Sequence, residues 1–134
     1  MEIKITFPGG KKVNAEAGNR IIASDQPVEG GGDGSAPTPF DYFLASFGTC
    51  AGVYVLGFCR ERGISTEGLE LTQSMEFNPD ADGRTRLASV VIDIALPPGF
   101  PEKYRKAVAK AAGLCSVKKA IMDPPEFVIN THIG

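Results

Sequence analysis

One long stretch of the chain carries no charge. Residues 42–59 are eighteen consecutive uncharged positions, and Arg60 is the first charged residue after them. Thr38 is suited to cap a helix that has Pro39 at its first position, and Gly63 is suited to end it. The pattern predicts one helix of about seven turns, at ~3.6 residues per turn. Because ~20 apolar residues span a bilayer, this helix is either a core helix or a membrane anchor.

Small and polar residues within this stretch favour the core helix, as does the polar sequence on both sides of it. They are Ala45, Ser46, Gly48, Thr49, Ala51, Gly52 and Gly57. Gly48 and Gly52 form a pair at the spacing that lets another backbone approach a helix closely, in a membrane or outside it. The pair therefore fits both alternatives.

Alternation of apolar and polar residues predicts strands on both sides of the helix. Residues 2–7 alternate, and a Pro-Gly-Gly turn leads them into 11–17. A second turn leads into a third strand over 20–24, which completes an N-terminal meander. Residues 69–77 and 90–96 also alternate, and the turn-forming residues between them predict a long antiparallel hairpin.

The remaining segments complete an α+β pattern. Residues 101–112 have helical spacing, and 114–122 predict a short helix whose first turn contains Cys115 or is capped by Ser116. Residues 127–133 predict a final strand. Runs of strands followed by helices are typical of α+β folds and not of a parallel α/β sheet.

The glycine-rich segment 25–39 predicts a loop that uses positive φ angles. Its glycines suggest a phosphate-binding loop, but no Gly-Lys-Ser/Thr sequence follows them. An irregular connection is the better interpretation.

Length and composition narrow the function classes. A chain of 134 residues suits one domain, 1–134, and a net charge of −2 gives no basic surface for nucleic acid. Charged residues near the start exclude a secretory leader, so the expected location is the cytoplasm. There, three cysteines without CxxC spacing are expected to be free thiols. His132 has no neighbouring metal-ligand cluster in the sequence, so no metal site is expected.

The three cysteines differ in their predicted surroundings. At ~100° per residue, Cys50 projects roughly 200° away from Gly48 and Gly52, whereas Cys59 lies about 20° from Gly52 and is expected to pack as a small hydrophobe. Cys115 lies at a helix start, where a thiol pKa is lowered and the thiolate becomes a nucleophile. A lone cysteine is more often inert, so the Cys50 and Cys115 pair is of interest only if the two are close.

Two segments resemble one family. Residues 33–58, DGSAPTPFDYFLASFGTCAGVYVLGF, resemble the hallmark of the OsmC/Ohr superfamily, and residues 114–121, LCSVKKAI, resemble its second cysteine motif. With the matching order of strands, the resemblance covers essentially the whole chain. It implies an OsmC-like α+β fold in which antiparallel sheets surround a long central helix, assembled as an intertwined homodimer.

The resemblance also implies a thiol-dependent peroxidase that reduces organic hydroperoxides. Cys50 is then the peroxidatic thiol, and Cys115 resolves its sulfenic acid as a disulfide. An external dithiol reductant is expected, with no metal or other cofactor and no nucleic-acid or membrane partner. The helix-start argument instead favours Cys115 as the thiol attacked first, and sequence alone leaves that order open.

The chain departs from the hydroperoxide-resistance members at two charged positions. Those members hold the peroxidatic thiolate with an arginine of the first hairpin and a glutamate after the helix-opening proline. Here the hairpin offers Lys11 and Lys12, and Phe40 follows the proline, with Asp41 one position later. None of these is expected to be a site residue. The competing hypothesis is a homodimeric protein that binds a hydrophobic small molecule, or a thiol-regulatory protein without efficient peroxidase activity.

Overall fold

The computed structural model describes all residues from 1 to 134. Up to the last helix, its strands and helices follow the predicted order, and they confirm the α+β class. They are β1 (Lys4–Gly9), β2 (Lys12–Ala17), β3 (Arg20–Ser24), α1 (Pro39–Glu61), β4 (Glu70–Pro79), β5 (Thr85–Ala95), α2 (Arg105–Ala112) and α3 (Ser116–Met122). Short 3₁₀ turns cover Val28–Gly30 and Glu102–Tyr104. The chain forms two compact units, Met1–Ala45 and Ser46–Gly134.

The first unit contains the predicted meander. Its antiparallel order is β1-β2-β3, with Thr6 opposite Asn14 and Ala15 opposite Ile22. Gly10, at φ 58°, supplies the left-handed conformation that the first turn needs. The large apolar residues in and beside β1 and β3 are exposed within this chain. They are Ile3, Ile5, Phe7, Ile21 and Ile22.

The glycine-rich loop is organised around one buried carboxylate. Asp25 is 1% exposed, and it accepts hydrogen bonds from the backbone N–H groups of Gln26, Asp33 and Ser35 at 2.8, 3.3 and 3.1 Å. The Ser35 hydroxyl donates a fourth at 2.6 Å. These donors, the Ser35 hydroxyl first, lower the pKa of Asp25 from 3.8 to about 2. The N–H groups of this loop therefore bind the Asp25 carboxylate of the same chain.

Both ends of α1 are capped as the sequence predicts. Thr38 N–H donates to Asp41 Oδ2 at 2.9 Å, and Asp41 N–H donates to Thr38 Oγ1 at 3.1 Å, which is a capping box. At the other end, Ile64 N–H donates to the Cys59 carbonyl at 2.9 Å, and Gly63 has a φ of 63°. This is a Schellman ending.

The second unit has its core against α1. The fully buried cluster is Val55, Phe58, Cys59 and Val108. Leu71 and Ile94, from the two strands of the hairpin, pack against it. The hairpin pairs Glu70 with Ala95 and Pro79 with Thr85, with a bulge at 76–77. The structure confirms the predicted hairpin and the packing position of Cys59. By length and composition α1 could also cross a membrane, but core helices meet the same criterion.

Two predictions near the C-terminus are wrong in detail. Cys115 is the N-cap of α3 and Ser116 is its first residue, so Cys115 lies outside the first turn and Ser116 does not cap it. The expected strand over 127–133 does not form. The segment is paired with neither sheet, and Phe127 and Ile129 are 84% and 92% exposed.

Candidate active site

Cys50 lies in the middle of α1 and is half-buried. The helix buries Phe47 and Ala51 on either side of it. Cys50 was predicted to project away from Gly48 and Gly52. Gly48 faces β4, where an added Cβ atom would lie 2.7 Å from Oε1 of Gln73. A Cβ at Gly52 would have no neighbour within 4 Å, so within this chain only the first of these two glycines is approached closely.

The sulfur of Cys50 meets the first turn of α3. The groups directed at it are the backbone N–H groups of Val117 and Ser116 and the Cys115 thiol. These N–H groups have no acceptor inside α3, because the first turn of any helix leaves them unpaired. The Val117 N–H is the largest cause of a lowered pKa for the Cys50 thiol, followed by the Cys115 thiol, while burial acts in the opposite direction. The arrangement stabilises the Cys50 thiolate.

Cys115 is held beside Cys50 by its role at the helix end. Its side chain is 3% exposed, and its sulfur accepts the Lys118 N–H at 3.5 Å as the N-cap. The same sulfur lies 4.0 Å from the Phe47 carbonyl oxygen. The Cys115 thiol is also one of the groups that lower the pKa of Cys50, so two thiols that are 65 positions apart in the chain lie near each other. The N–H groups of Ser116 and Val117 at the start of α3 are directed at Cys50.

Cys59 is separate from this pair. It is 1% exposed and belongs to the core cluster. Burial raises the pKa of its thiol, although the positive charge of Arg62 opposes that effect. Arg62 also stacks on the Phe58 ring, with its guanidinium carbon 3.6 Å from the ring centre. A protonated, buried thiol is a poor nucleophile.

Two charged residues of the first unit that were considered beside the thiols have their own partners. Lys12 Nζ forms an ion pair with Asp33 Oδ2 at 3.2 Å. Asp41 caps α1 through Thr38. Each of these contacts lies within the first unit.

Sequence reasoning missed several groups of the site. These are the Val117 and Ser116 N–H groups, the Phe47 carbonyl, and the Tyr54 hydroxyl, which lies 3.4 Å from Ser116 Oγ. Backbone donors leave no signature in side-chain identity. Tyr54 could have been found from the sequence, because it lies four positions after Cys50 and therefore shares its helix face.

The structure offers no group of three His, Cys, Asp or Glu side chains arranged to hold a metal ion. A cleft of about 430 Å³ lies between the loops that follow α1 and β5. It is lined by Ile64, Ser65, Glu67, Gly68, Pro97, Pro98, Gly99 and Phe100. None of the three cysteines lines it, so this cleft and the thiol pair are separate features.

Comparison with known proteins gives a consistent result. Among solved structures, the chain is similar to a Psychrobacter arcticus protein named for an osmotic stress induced and detoxification response, with 25% identity, 88% of this chain and 85% of that chain covered, and a TM-score of 0.71. It is similar to the organic hydroperoxide resistance protein OsmC from Legionella pneumophila, with 23% identity, 90% and 89% coverage, and a TM-score of 0.61.

A third similar structure is an organic hydroperoxide resistance protein from Elizabethkingia anophelis, with 19% identity, 92% and 90% coverage, and a TM-score of 0.63. No curated protein matches the chain. The family model described as OsmC-like protein matches residues 32–130, which include both Cys50 and Cys115. The chain thus belongs to the OsmC-like protein family.

Proposed function

We propose that this protein is a thiol-dependent peroxidase that reduces organic hydroperoxides. Cys50 is the peroxidatic thiol and Cys115 the resolving thiol. The observation that carries the proposal is the arrangement at Cys50: the Val117 and Ser116 N–H groups and the Cys115 thiol are directed at its sulfur and lower its pKa. One arrangement thus supplies both a stabilised thiolate and a second thiol near it.

The first step consumes the hydroperoxide. The Cys50 thiolate attacks the terminal oxygen of ROOH, the O–O bond breaks, and the departing alkoxide takes up a proton to become the alcohol. Cys50 is oxidised by two electrons to a sulfenic acid, and the hydroperoxide is reduced by the same two. The Ser116 and Val117 N–H groups favour this step because they increase the thiolate fraction at neutral pH.

The second step joins the two cysteines. The sulfur of Cys115 attacks the sulfenic sulfur of Cys50, the S–S bond forms, and the S–O bond breaks. Hydroxide leaves and combines with the Cys115 proton as water. A dithiol reductant then returns both cysteines to thiols and is itself oxidised to a disulfide. No metal or other cofactor takes part in these steps.

The surroundings of Cys50 favour an apolar substrate. The helix carries no charged residue from 42 to 59, so an alkyl or aryl group near Cys50 meets few groups that it would have to desolvate. The Legionella pneumophila and Elizabethkingia anophelis relatives are named for organic hydroperoxide resistance. A clear rate advantage of cumene hydroperoxide over hydrogen peroxide is the expected result, and equal rates would count against this substrate class.

We also propose that the protein works as a homodimer in the cytoplasm. Large apolar side chains are exposed on the chain taken alone, in α1, in the meander and in the C-terminal segment. Examples are Val53, Phe7, Phe127 and Ile129, at 66%, 79%, 84% and 92%. Exposed apolar surface of this kind marks an interaction site, and a second copy is the partner that the family resemblance implies. Sedimentation equilibrium that gives the monomer mass at micromolar concentration would remove this part of the proposal.

The peroxidase proposal is tested by mass spectrometry of the reduced protein before and after one equivalent of cumene hydroperoxide. The expected product has lost two hydrogens, in a crosslink that maps to Cys50 and Cys115, and Cys59 stays free. The matched control is Cys59→Ala, which should form the same crosslink, whereas Cys50→Ser should not. An unchanged mass, or slow oxidation of all three thiols alike, refutes the proposal. Sulfenic acid trapped at Cys115 in Cys50→Ser, with turnover retained, would reverse the two roles.

A further inference from the structure

Tyr54 links α1 to the start of α3 beside the thiol pair. It lies one turn after Cys50 on α1, is half-buried, and places its hydroxyl 3.4 Å from Ser116 Oγ. Ser116 is the first residue of α3, and its N–H group is one of the groups that lower the pKa of the Cys50 thiol. One residue therefore acts on Cys50 through its backbone and lies beside Tyr54 through its side chain.

Apolar burial does little to fix the position of α3. The helix has seven residues, none of them buried, and the chain after it forms no further helix or strand. Apolar burial, the usual means of holding a helix in place, is therefore small here. Along α1, polar contacts to α3 and its N-cap flank Cys50 on both sides. They are the Phe47 carbonyl with Cys115 before it, and the Tyr54 hydroxyl with Ser116 after it.

We propose that the Tyr54 hydroxyl is a positioning group that holds the first turn of α3 against Cys50. The effect of Tyr54 on catalysis rests on the proposed peroxidase function, but its positioning of α3 does not. Hydrogen bonds from N–H groups to sulfur weaken when their distance or angle changes, so a first turn that is free to shift stabilises the Cys50 thiolate less. Cys115 directly precedes Ser116 and moves with the same turn.

Tyr54→Phe is the direct perturbation, because it keeps the ring and removes only the hydroxyl. Ser116→Ala removes the other half of the contact and leaves the backbone N–H in place. The matched control is Tyr42→Phe, since Tyr42 is also on α1 and donates its hydroxyl elsewhere, to the Ala23 carbonyl at 2.6 Å. All three variants are compared with the wild type at equal protein concentration.

The measurement is the pH dependence of alkylation of Cys50 by iodoacetamide, resolved from Cys59 and Cys115 by peptide mass spectrometry. We expect the midpoint of Cys50 alkylation to move to higher pH in Tyr54→Phe and in Ser116→Ala. Below the midpoint, the thiolate fraction should fall about two- to fivefold, the size typical of a charge interaction at a helix end. The double variant should shift no further than either single variant, because both remove one contact. Tyr42→Phe should keep the wild-type midpoint.

A wild-type midpoint in Tyr54→Phe overturns the inference, and so does an additive shift in the double variant. A tyrosine that only supports the fold would lower the melting temperature without moving the midpoint. Should Tyr54→Phe fail to fold, Ser116→Ala alone decides, since it leaves the ring in place. A shifted midpoint in a protein whose wild type forms no peroxide-induced disulfide supports the positioning role and refutes the peroxidase function.

Discussion

Replacing Cys59 tests whether the third thiol is purely a core residue. Cys59 is 1% exposed and packs with Val55, Phe58 and Val108. Cys59→Ala removes one sulfur from this cluster and should lower the free energy of unfolding by about 1 to 2 kcal/mol, through lost apolar burial and a small cavity. The substitution leaves no polar group without a partner.

Cys59→Ser should be the more damaging replacement, although it is closer in shape. It buries a hydroxyl, and an unsatisfied one costs about 1 to 3 kcal/mol. A serine within a helix can donate to the carbonyl four residues earlier, here Val55, which keeps the cost near the lower end of that range. The total is then about 2 to 3 kcal/mol, and the serine variant should be less stable than the alanine variant by about 1 kcal/mol.

Urea denaturation under reducing conditions measures this difference. With a slope of about 2 kcal/mol per molar urea, the two midpoints should differ by about half a molar. Protein concentration is held constant, because self-association would make the midpoints depend on it. Both variants should still form the Cys50 to Cys115 crosslink with cumene hydroperoxide. A serine variant as stable as the wild type would refute the packing argument, and loss of the crosslink would show that Cys59 takes part in the chemistry.

A pH series sharpens the test. Burial raises the pKa of Cys59, so the folded chain keeps this proton at a pH where the unfolded chain has released it. The stabilisation is complete below the ordinary pKa of 9.0 and is lost as the pH rises above it. The advantage of the wild type over Cys59→Ala should therefore narrow in alkaline urea titrations. A constant difference would contradict the burial of this thiol.

Three further predictions concern α1, the glycine-rich loop and the candidate nucleophile. Thr38→Ala removes the acceptor for Asp41 N–H and should cost about 1 kcal/mol, seen as a melting temperature about 3 to 5 °C lower, whereas Thr38→Ser should be near wild type. The lowered pKa of Asp25 stabilises the fold at pH values above 3.8, the ordinary pKa of the group, and this stability is lost as the pH falls toward about 2. The urea midpoint of Asp25→Asn should lack this acid-dependent change. Urea midpoints of the wild type and the variant that fall in parallel with pH would contradict the prediction. The rate of Cys50 oxidation by cumene hydroperoxide should level off at a lower pH than that of free cysteine, as stopped-flow measurement would show, and coincident pH profiles would argue against a stabilised thiolate.

Local structure was predictable because its signals are local. The capping box of Thr38 and Asp41, the two antiparallel motifs and the ends of α1 all depend on residues a few positions apart. The contact of Cys50 with α3 was different. It joins two parts of the chain by backbone N–H groups, and only the family resemblance pointed to Cys50 and Cys115 together.

The C-terminal segment shows a second limit of prediction from sequence. Residues 127–133 have the composition of a strand, but a strand is completed by hydrogen bonds to a neighbour. Periodicity reports that a segment can pair; it does not report whether the partner lies in the same chain. For the same reason, the apolar residues of β1 and β3 could be placed in strands from sequence but not assigned a buried surface.

The N-cap position of α3 has two competing requirements, which are good helix capping and a thiol side chain. Serine, threonine, aspartate and asparagine are the residues that cap helices best, and cysteine is not among them. Position 115 nevertheless carries a cysteine whose sulfur accepts the Lys118 N–H at 3.5 Å. Under the proposed function, Cys115→Ser would improve the cap and at the same time remove the resolving thiol. The weak cap is then a stability–activity compromise within a single side chain, of the kind that leaves natural proteins below their attainable stability.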